Sequence, residues 1–202
     1  MPFGGERTNP SWEIAKSLPK IISGHRVVAL RVPTEFGKAI DVTIKAINAH
    51  QPEIVLCFGQ AGGRSCMNVE RVAINVDDAR TADNAGKQLI DEAVRTDGPA
   101  AYFCSVPIKA MVAAMKKAGV PAVISNTAGT FVCNHLIYGV LDHIAQYRLT
   151  TRAGFIHVPY LELQVLDKAD TAAMALATMI TGAEVAIMAA IMAALKAAIK
   201  RR

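Results

Sequence analysis

Three residues of the types that together activate a nucleophile, Cys133, His157 and Glu70, fall in three separate stretches of the chain. Cys133 lies in "SNTAGTFVCNHLIYGVLDH", residues 125–143. Gly129 and Thr130 offer a flexible entry able to cap a helix, which puts Cys133 in the first turn of a helix running through "NHLIYGVLDHI". A thiol in that place meets unpaired N–H groups and the positive end of the helix dipole, and both favour thiolate over thiol. Since an ordinary cysteine, with a pKa of ~8.5, is only a few per cent thiolate at neutral pH, such help enlarges the reactive fraction. The plainer reading is a small buried hydrophobe, the commoner fate of a free cysteine. His157, in "GFIHVPY", sits near the carboxyl end of a strand, from where an imidazole can take the thiol proton and later hand it to a leaving amine. Glu70, in "NVERVAIN", can hold that imidazole in the right tautomer as the third member of a triad. A lone strand histidine is more often structural and a lone glutamate more often solvated surface. Their arrival from three strand-end segments is what argues for cysteine hydrolase chemistry.

Other chemistries fit less well. The glycines of "GQAGG", residues 59–63, follow an apolar run and suggest a phosphate loop. That motif needs a helix directly afterwards, whereas "NVERVAINV" alternates like a strand, and no Gly-Lys-Ser/Thr ending is present. Tight turns explain the glycines more simply. His135 and His143 lie about 80° apart around one helix and ~12 Å apart along it, so they do not share an ion. They read as surface or half-buried helix histidines. Cys57, Cys66, Cys104 and Cys133 form no Cys-x-x-Cys pair, so they offer no metal-type spacing and no structural metal is expected.

Composition bounds the rest. With 202 residues, 52% hydrophobic and 19% charged, the chain reads as one domain, residues 1–202, with a substantial core. The formal net charge of +5 is spread along the sequence, with a basic run only at Lys200, Arg201 and Arg202. No aromatic residues are interleaved with basic ones as a base-stacking surface requires, so nucleic acid is not an expected partner. No charged start followed by an apolar run opens the chain, and free thiols suit a reducing compartment, so the cytoplasm is expected. The stretch 171–199 is long enough to span a bilayer, which takes ~20 residues. It is mostly alanine and methionine, is interrupted by Gly182 and Glu184, and carries a stripe at Met188, Met192, Leu195 and Ile199. That pattern predicts a helix packed on the core rather than a membrane partner.

The elements that must position the three residues can be read from periodicity. Strand-length apolar runs occur at 27–32, 54–58, 101–104, 122–125 and 154–158, and helix-length segments at 36–48, 108–118, 131–147 and the C-terminus. Repeated alternation of this kind predicts an α/β fold, a single domain with an open twisted, mostly parallel sheet and helices on both faces. In such a sandwich ligands bind where loops leave the carboxyl ends of strands. The loops carrying Glu70, Cys133 and His157 are of that type.

At these residues the sequence resembles the pyroglutamyl peptidase I family, also called pyrrolidone carboxyl peptidases. The matching segments are "PFGGERTNPSWE" (2–13), "GQAGGRSCMNVERVAIN" (59–75), "DDARTADNAG" (77–86), "TAGTFVCNHLIYG" (127–139) and "GFIHVPY" (154–160), in family order across nearly the whole chain. The resemblance implies a cysteine omega-peptidase that removes an N-terminal pyroglutamyl residue from peptides, with its triad at Glu70, Cys133 and His157. It further implies a lactam pocket built from Phe3, Asn9, Gln60, Phe131 and Val132, and an arginine, Arg80, near the carbonyl under attack. No metal or organic cofactor is implied, and a homodimer or homotetramer is. Family members begin with a short hydrophobic strand and a Thr-Gly-Phe turn ahead of the "MPFGG" seen here, so the first family strand is expected to be missing. Met67-Asn68 and Thr81-Ala82 also depart from the family pattern. The alternative these departures raise is a truncated, catalytically weakened homologue that acts as a binding or structural protein.

Overall fold

The computed structural model describes residues 1–199, so the basic run at 200–202 lies outside the described residues. In chain order the elements are α1 (Pro10–Ser17), β1 (Ile21–Ile22), β2 (His25–Arg26), α2 (Lys38–His50), β3 (Ile54–Gln60), β4 (Met67–Glu70), β5 (Val72–Ile74), β6 (Ala101–Phe103), α3 (Ile108–Lys117), β7 (Ala122–Ser125), α4 (Val132–Gln146), β8 (Arg152–Val158) and α5 (Leu176–Ile199). The main sheet has the order β3-β8-β4-β7. β3 with β8 and β4 with β7 run parallel, while β4 and β8 run antiparallel. β5 and β6 form a separate antiparallel ribbon.

Side chains on a strand alternate between its two faces, and here each face receives its own helices. Ile156 and Val158 of β8, with Met67 and Val69 of β4, pack against Ile14 of α1, Met111 and Met115 of α3 and the alanines of α5. Ala153 and Phe155 of β8 pack the other way, against Ala39 and Ile47 of α2 and Val132, Leu136, Ile137 and Val140 of α4. The same alternation sends His157 to the α2/α4 side. On β4 it turns Asn68 and Glu70 away from the core that holds Met67 and Val69. The sheet is therefore mixed but mostly parallel, with helices on both faces, as the alternating pattern predicts.

Two expectations fail. Residues 27–32 are not a strand; only His25–Arg26 pairs, with Ile21–Ile22. Beyond Arg26 this segment has no ladder partner, and it lines, together with the unpaired edge of β3, one cavity of about 620 Å³. An extended segment without inter-strand hydrogen bonds is not a strand, however apolar its sequence. The second failure concerns α5. Met188, Met192, Leu195 and Ile199 are exposed at 41–73%, and the buried seam runs instead through Met179, Gly182, Ala183, Ala186 and Ala190. Small residues let the helix approach the sheet closely. A Cβ on Gly182 would come within 2.5 Å of the Met67 sulfur. α5 is long and apolar enough to cross a membrane, at a mean hydropathy of 1.8, yet its small-residue face is packed on α3 and β4.

Candidate active site

The end of β8 and the start of α4 meet at one spot. Asn68 of β4 stands opposite His157 in the antiparallel register, and Gly59 of β3 stands beside it in the parallel one. His157 is buried and its Nδ1 lies 2.8 Å from Glu70 Oε1, with Glu70 fully buried. The other ring nitrogen is left for Cys133, which lies close enough to act on the charge of the ring. Burial disfavours a charged ring here, but the nearby Cys133 and the hydrogen-bonded carboxylate of Glu70 outweigh it and raise the His157 pKa to about 9. The ring is thus held as an imidazolium close to a sulfur and a carboxylate, the arrangement of a thiol nucleophile with its acid–base partner and orienter.

Cys133 is the second residue of α4, which starts after Phe131. The first helical hydrogen bond runs from His135 N to Phe131 O, so the N–H groups of Val132, Cys133 and Asn134 precede the internal ladder and point out of the helix start. Thr130 does not cap this helix as its position suggests. Its hydroxyl donates instead to Asp78 O at 2.7 Å, tying the helix entry to the 77–80 segment. Burial pushes the thiols of Cys57 and Cys104 up to about 12, which keeps them protonated and unreactive at neutral pH.

Of the residues expected to hold a lactam ring, Phe3, Asn9, Gln60, Phe131 and Val132 all line the 620 Å³ cavity that also contains Cys133 and His157. Phe3 and Phe131 make its aromatic wall, with ring centroids 4.8 Å apart and planes tilted by 43°. Gln60 accepts from Gln164 Nε2 at 3.0 Å through its carbonyl oxygen, which leaves its own N–H groups available to a ligand. Asn9 is already committed. Its Oδ1 accepts from Ser11 N at 3.0 Å as the cap of α1, and its Nδ2 donates to Met1 O at 2.8 Å. Arg80 is not brought into this cavity. It is exposed, in an adjoining hollow of about 300 Å³ that shares only Phe3 and Phe131 with the first.

Several residues of the site escaped sequence reasoning. Arg64 Nη1 donates to Glu70 Oε1 at 3.0 Å, so the same carboxylate oxygen serves both the histidine and an arginine. Gly59 carries no side chain because there is no room for one. A Cβ there would lie 2.8 Å from Cys133 Sγ and 2.7 Å from Phe155 Cζ. Asn134 reaches sideways from α4 to take Ile74 N and donate to Ile74 O and Val76 O, acting as a surrogate strand beside β5. His135 is neither exposed nor half-buried but 6% accessible, with Nδ1 2.6 Å from Asp77 Oδ2. His143, by contrast, is half-buried and lies 3.2 Å from Asn48 Oδ1. One signal for Asn134 and His135 was available. Apart from these two, α4 is apolar on every side from Val132 to Leu141, so it is buried, and polar residues on a buried helix need partners.

A buried acid–histidine pair facing a thiol at a helix start, on an α/β sheet, defines a cysteine hydrolase. Comparison with known proteins places it more closely. A model of the pyroglutamyl peptidase family matches residues 1–193. A pyrrolidone-carboxylate peptidase of Alkaliphilus oremlandii is 53% identical over 189 residues, covering 94% of this chain and 89% of that protein. One from Streptococcus pyogenes is 52% identical over 200 residues, covering 99% and 93%. Among solved structures, pyroglutamyl peptidase I from Bacillus amyloliquefaciens superposes with a TM-score of 0.91 at 46% identity, covering 94% of this chain and 90% of that one. Pyrrolidone carboxyl peptidase from Thermococcus litoralis gives 0.93 at 34% identity, covering 96% and 91%. The chain belongs to the pyroglutamyl peptidase family.

Proposed function

We propose that this protein is a cysteine omega-peptidase that hydrolyses the amide bond following an N-terminal pyroglutamyl residue. The observation that carries the reading is the hydrogen-bonded pair Glu70 and His157 with Cys133 beside it, His157 and Cys133 opening onto a cavity walled by Phe3 and Phe131. A flat lactam ring suits that aromatic wall. Gln60 and backbone groups can bond its polar edge, and an open-chain residue would leave those groups unpaired.

The chemistry proceeds from the geometry. The sulfur of Cys133 attacks the pyroglutamyl carbonyl carbon, and the carbonyl oxygen becomes an oxyanion. The unpaired N–H groups at the start of α4 adjoin Cys133 in the chain, and they stabilise that charge without reorganising. This assigns to backbone the part that Arg80, exposed in the neighbouring hollow, is poorly placed to play. His157 gives its proton to the leaving amine as the C–N bond breaks, leaving a thioester. A water molecule then gives a proton to His157 and attacks the thioester, releasing pyroglutamate and restoring the thiol. Glu70 keeps the ring oriented and balances its charge throughout.

A reducing, cytoplasmic setting goes with this reading, and the four unbridged cysteines support it. So does self-association into a homodimer or homotetramer. The exposed apolar stripe of Met188, Met192, Leu195 and Ile199 supports α5 as the contact face. The test is release of an amine from a pyroglutamyl amide by the wild-type protein, its abolition by a thiol alkylator, and its loss in Cys133→Ala. Equal activity in wild type and Cys133→Ala, or preference for proline or glutamine amides, overturns the assignment. The alternative of a binding or structural homologue is supported only if folded wild-type protein is inert.

A further inference from the structure

The molecule contains a second buried acid–histidine pair, and the peptidase chemistry does not use it. His135 stands two residues beyond Cys133 on α4. Its Nε2 accepts the Gly37 N–H at 2.8 Å, so the ring proton is on Nδ1 and is donated to Asp77 Oδ2 at 2.6 Å. This one imidazole therefore joins three pieces of chain: the turn before α2, the first turn of α4, and the strap that begins at Asp77. The strap is fixed on its far side, where Asp77 N and O both pair with Glu92. Next to the pair, Asp78 N donates to Thr130 O and Thr130 Oγ1 donates to Asp78 O, so the strap is clipped to the residues just ahead of Phe131.

The rings continue the connection into the cavity. Phe36 meets His135 edge to face at 5.2 Å and meets Phe131 edge to face at 5.3 Å, and Phe131 in turn rests on Phe3. Phe131 thus takes its position from a ring that His135 holds. The carboxylate of Asp77 is fully buried, and its Oδ1 has no hydrogen-bond partner among the described residues. A buried carboxylate with only one satisfied oxygen is expensive to keep and is a poor choice where packing alone is needed.

We propose that Asp77 and His135 are positioning residues for the pocket: they fix the Phe36–Phe131–Phe3 wall against the ring of the substrate without touching the substrate or the thiol. The proposal rests on the reading that this wall receives the pyroglutamyl ring. It assigns the pair to substrate binding and leaves bond breaking to Cys133, His157 and Glu70.

Three variants take the clamp apart. His135→Asn keeps a donor where Nδ1 was and removes the acceptor for Gly37. His135→Gln does the reverse. Asp77→Asn keeps the shape and removes the charge. Each is expected to raise KM for a pyroglutamyl amide about tenfold, the scale of one or two net hydrogen bonds, with kcat within about threefold of wild type. The rate at which iodoacetamide alkylates Cys133 stays unchanged, because it reports the thiol and His157 alone. Hydrogen–deuterium exchange is expected to quicken about tenfold in the peptides containing Phe36–Gly37 and Phe131, and not in β8. Phe36→Leu, which leaves the Asp77–His135 hydrogen bond whole, serves if the others fold poorly and should raise KM about threefold. A fall in kcat at constant KM with slower alkylation would place the pair in the chemistry and overturn the proposal. Unchanged KM and unchanged exchange would reduce the pair to packing and also overturn it. If the wild type is inert towards pyroglutamyl amides, the functional reading fails while the exchange experiment still decides whether the pair holds the wall.

Discussion

The protein buries two histidine–carboxylate pairs close to the same helix start, and they are put to opposite ends. His157 meets Glu70 at 2.8 Å, and His135 meets Asp77 at 2.6 Å. Both use Nδ1 for the acid. The difference lies at the other nitrogen. In His157 it is left for the Cys133 thiol, a group that can give and take a proton. In His135 it is closed by the backbone N–H of Gly37, which can only donate. An acid–histidine pair thus becomes an acid–base machine or a clamp according to what stands at its second nitrogen, and neither sequence spacing nor burial distinguishes the two.

The largest effect that breaks this comparison comes from neutralising the two acids in turn. Glu70→Gln is expected to lower kcat/KM by roughly 10²–10⁴-fold, because the imidazole loses the charge that orients it and stabilises its protonated form. Asp77→Asn is expected to cost only about tenfold, through KM. Steady-state kinetics on a pyroglutamyl amide measures both, and equal losses in kcat would mean the two pairs do the same work. Gly59→Ala comes next. Its Cβ needs the space of Cys133 Sγ and Phe155 Cζ, and since a displacement of about 1 Å at a reacting atom can cost ~10²-fold, kcat should fall by about 10–100-fold. Alkylation of Cys133 should slow with it, which the clamp variants do not do.

A smaller effect separates Glu70 from its second partner. Arg64 is half-exposed, so its ion pair with the buried carboxylate is partly screened by water. Arg64→Gln should keep a hydrogen bond and reduce kcat by only about threefold. A loss as large as that of Glu70→Gln would show that the arginine, rather than the histidine, governs the carboxylate.

How far the sequence announces these features depends on whether the cause is local. β3, β6, β7 and β8 fall where apolar runs of strand length predict them, and α2, α3 and α4 where helical periodicity does, because burial writes its period into neighbouring residues. Glu70, Cys133 and His157 are legible for a related reason: each is the residue type its role demands, near the end of an element. The strand expected at 27–32 fails because pairing is a property of two chains, and nothing in "VVALRV" says whether a partner lies beside it. The α5 stripe fails because alanines make a closer seam than methionines, and periodicity alone does not rank two seams by how near a helix can approach. The Gly59 and Asp77–His135 contacts are non-local in the same sense, joining residues up to 96 positions apart through space.

The smallest effect is the most direct comparison of the two rings, because it leaves the protein unaltered and varies pH. The His157 pKa is raised from its ordinary 6.5 to about 9, so the imidazolium beside Cys133 persists through neutral pH and is lost only as pH rises through about 9. A group whose folded pKa is raised stabilises the fold fully below its unfolded pKa, here ~6.5, and gives up that stability between there and its folded value. Both kcat/KM and the melting temperature should therefore decline on the alkaline side, with an activity limb near 9 that belongs to the coupled thiol and imidazole. In Glu70→Gln the limb should move towards neutral pH, because one of the two groups that raise the histidine has lost its charge. In Asp77→Asn it should stay in place, since that acid faces the other ring. A pH–rate profile for the three proteins measures this. A limb that moved with Asp77 and not with Glu70 would reverse the roles assigned to the two pairs.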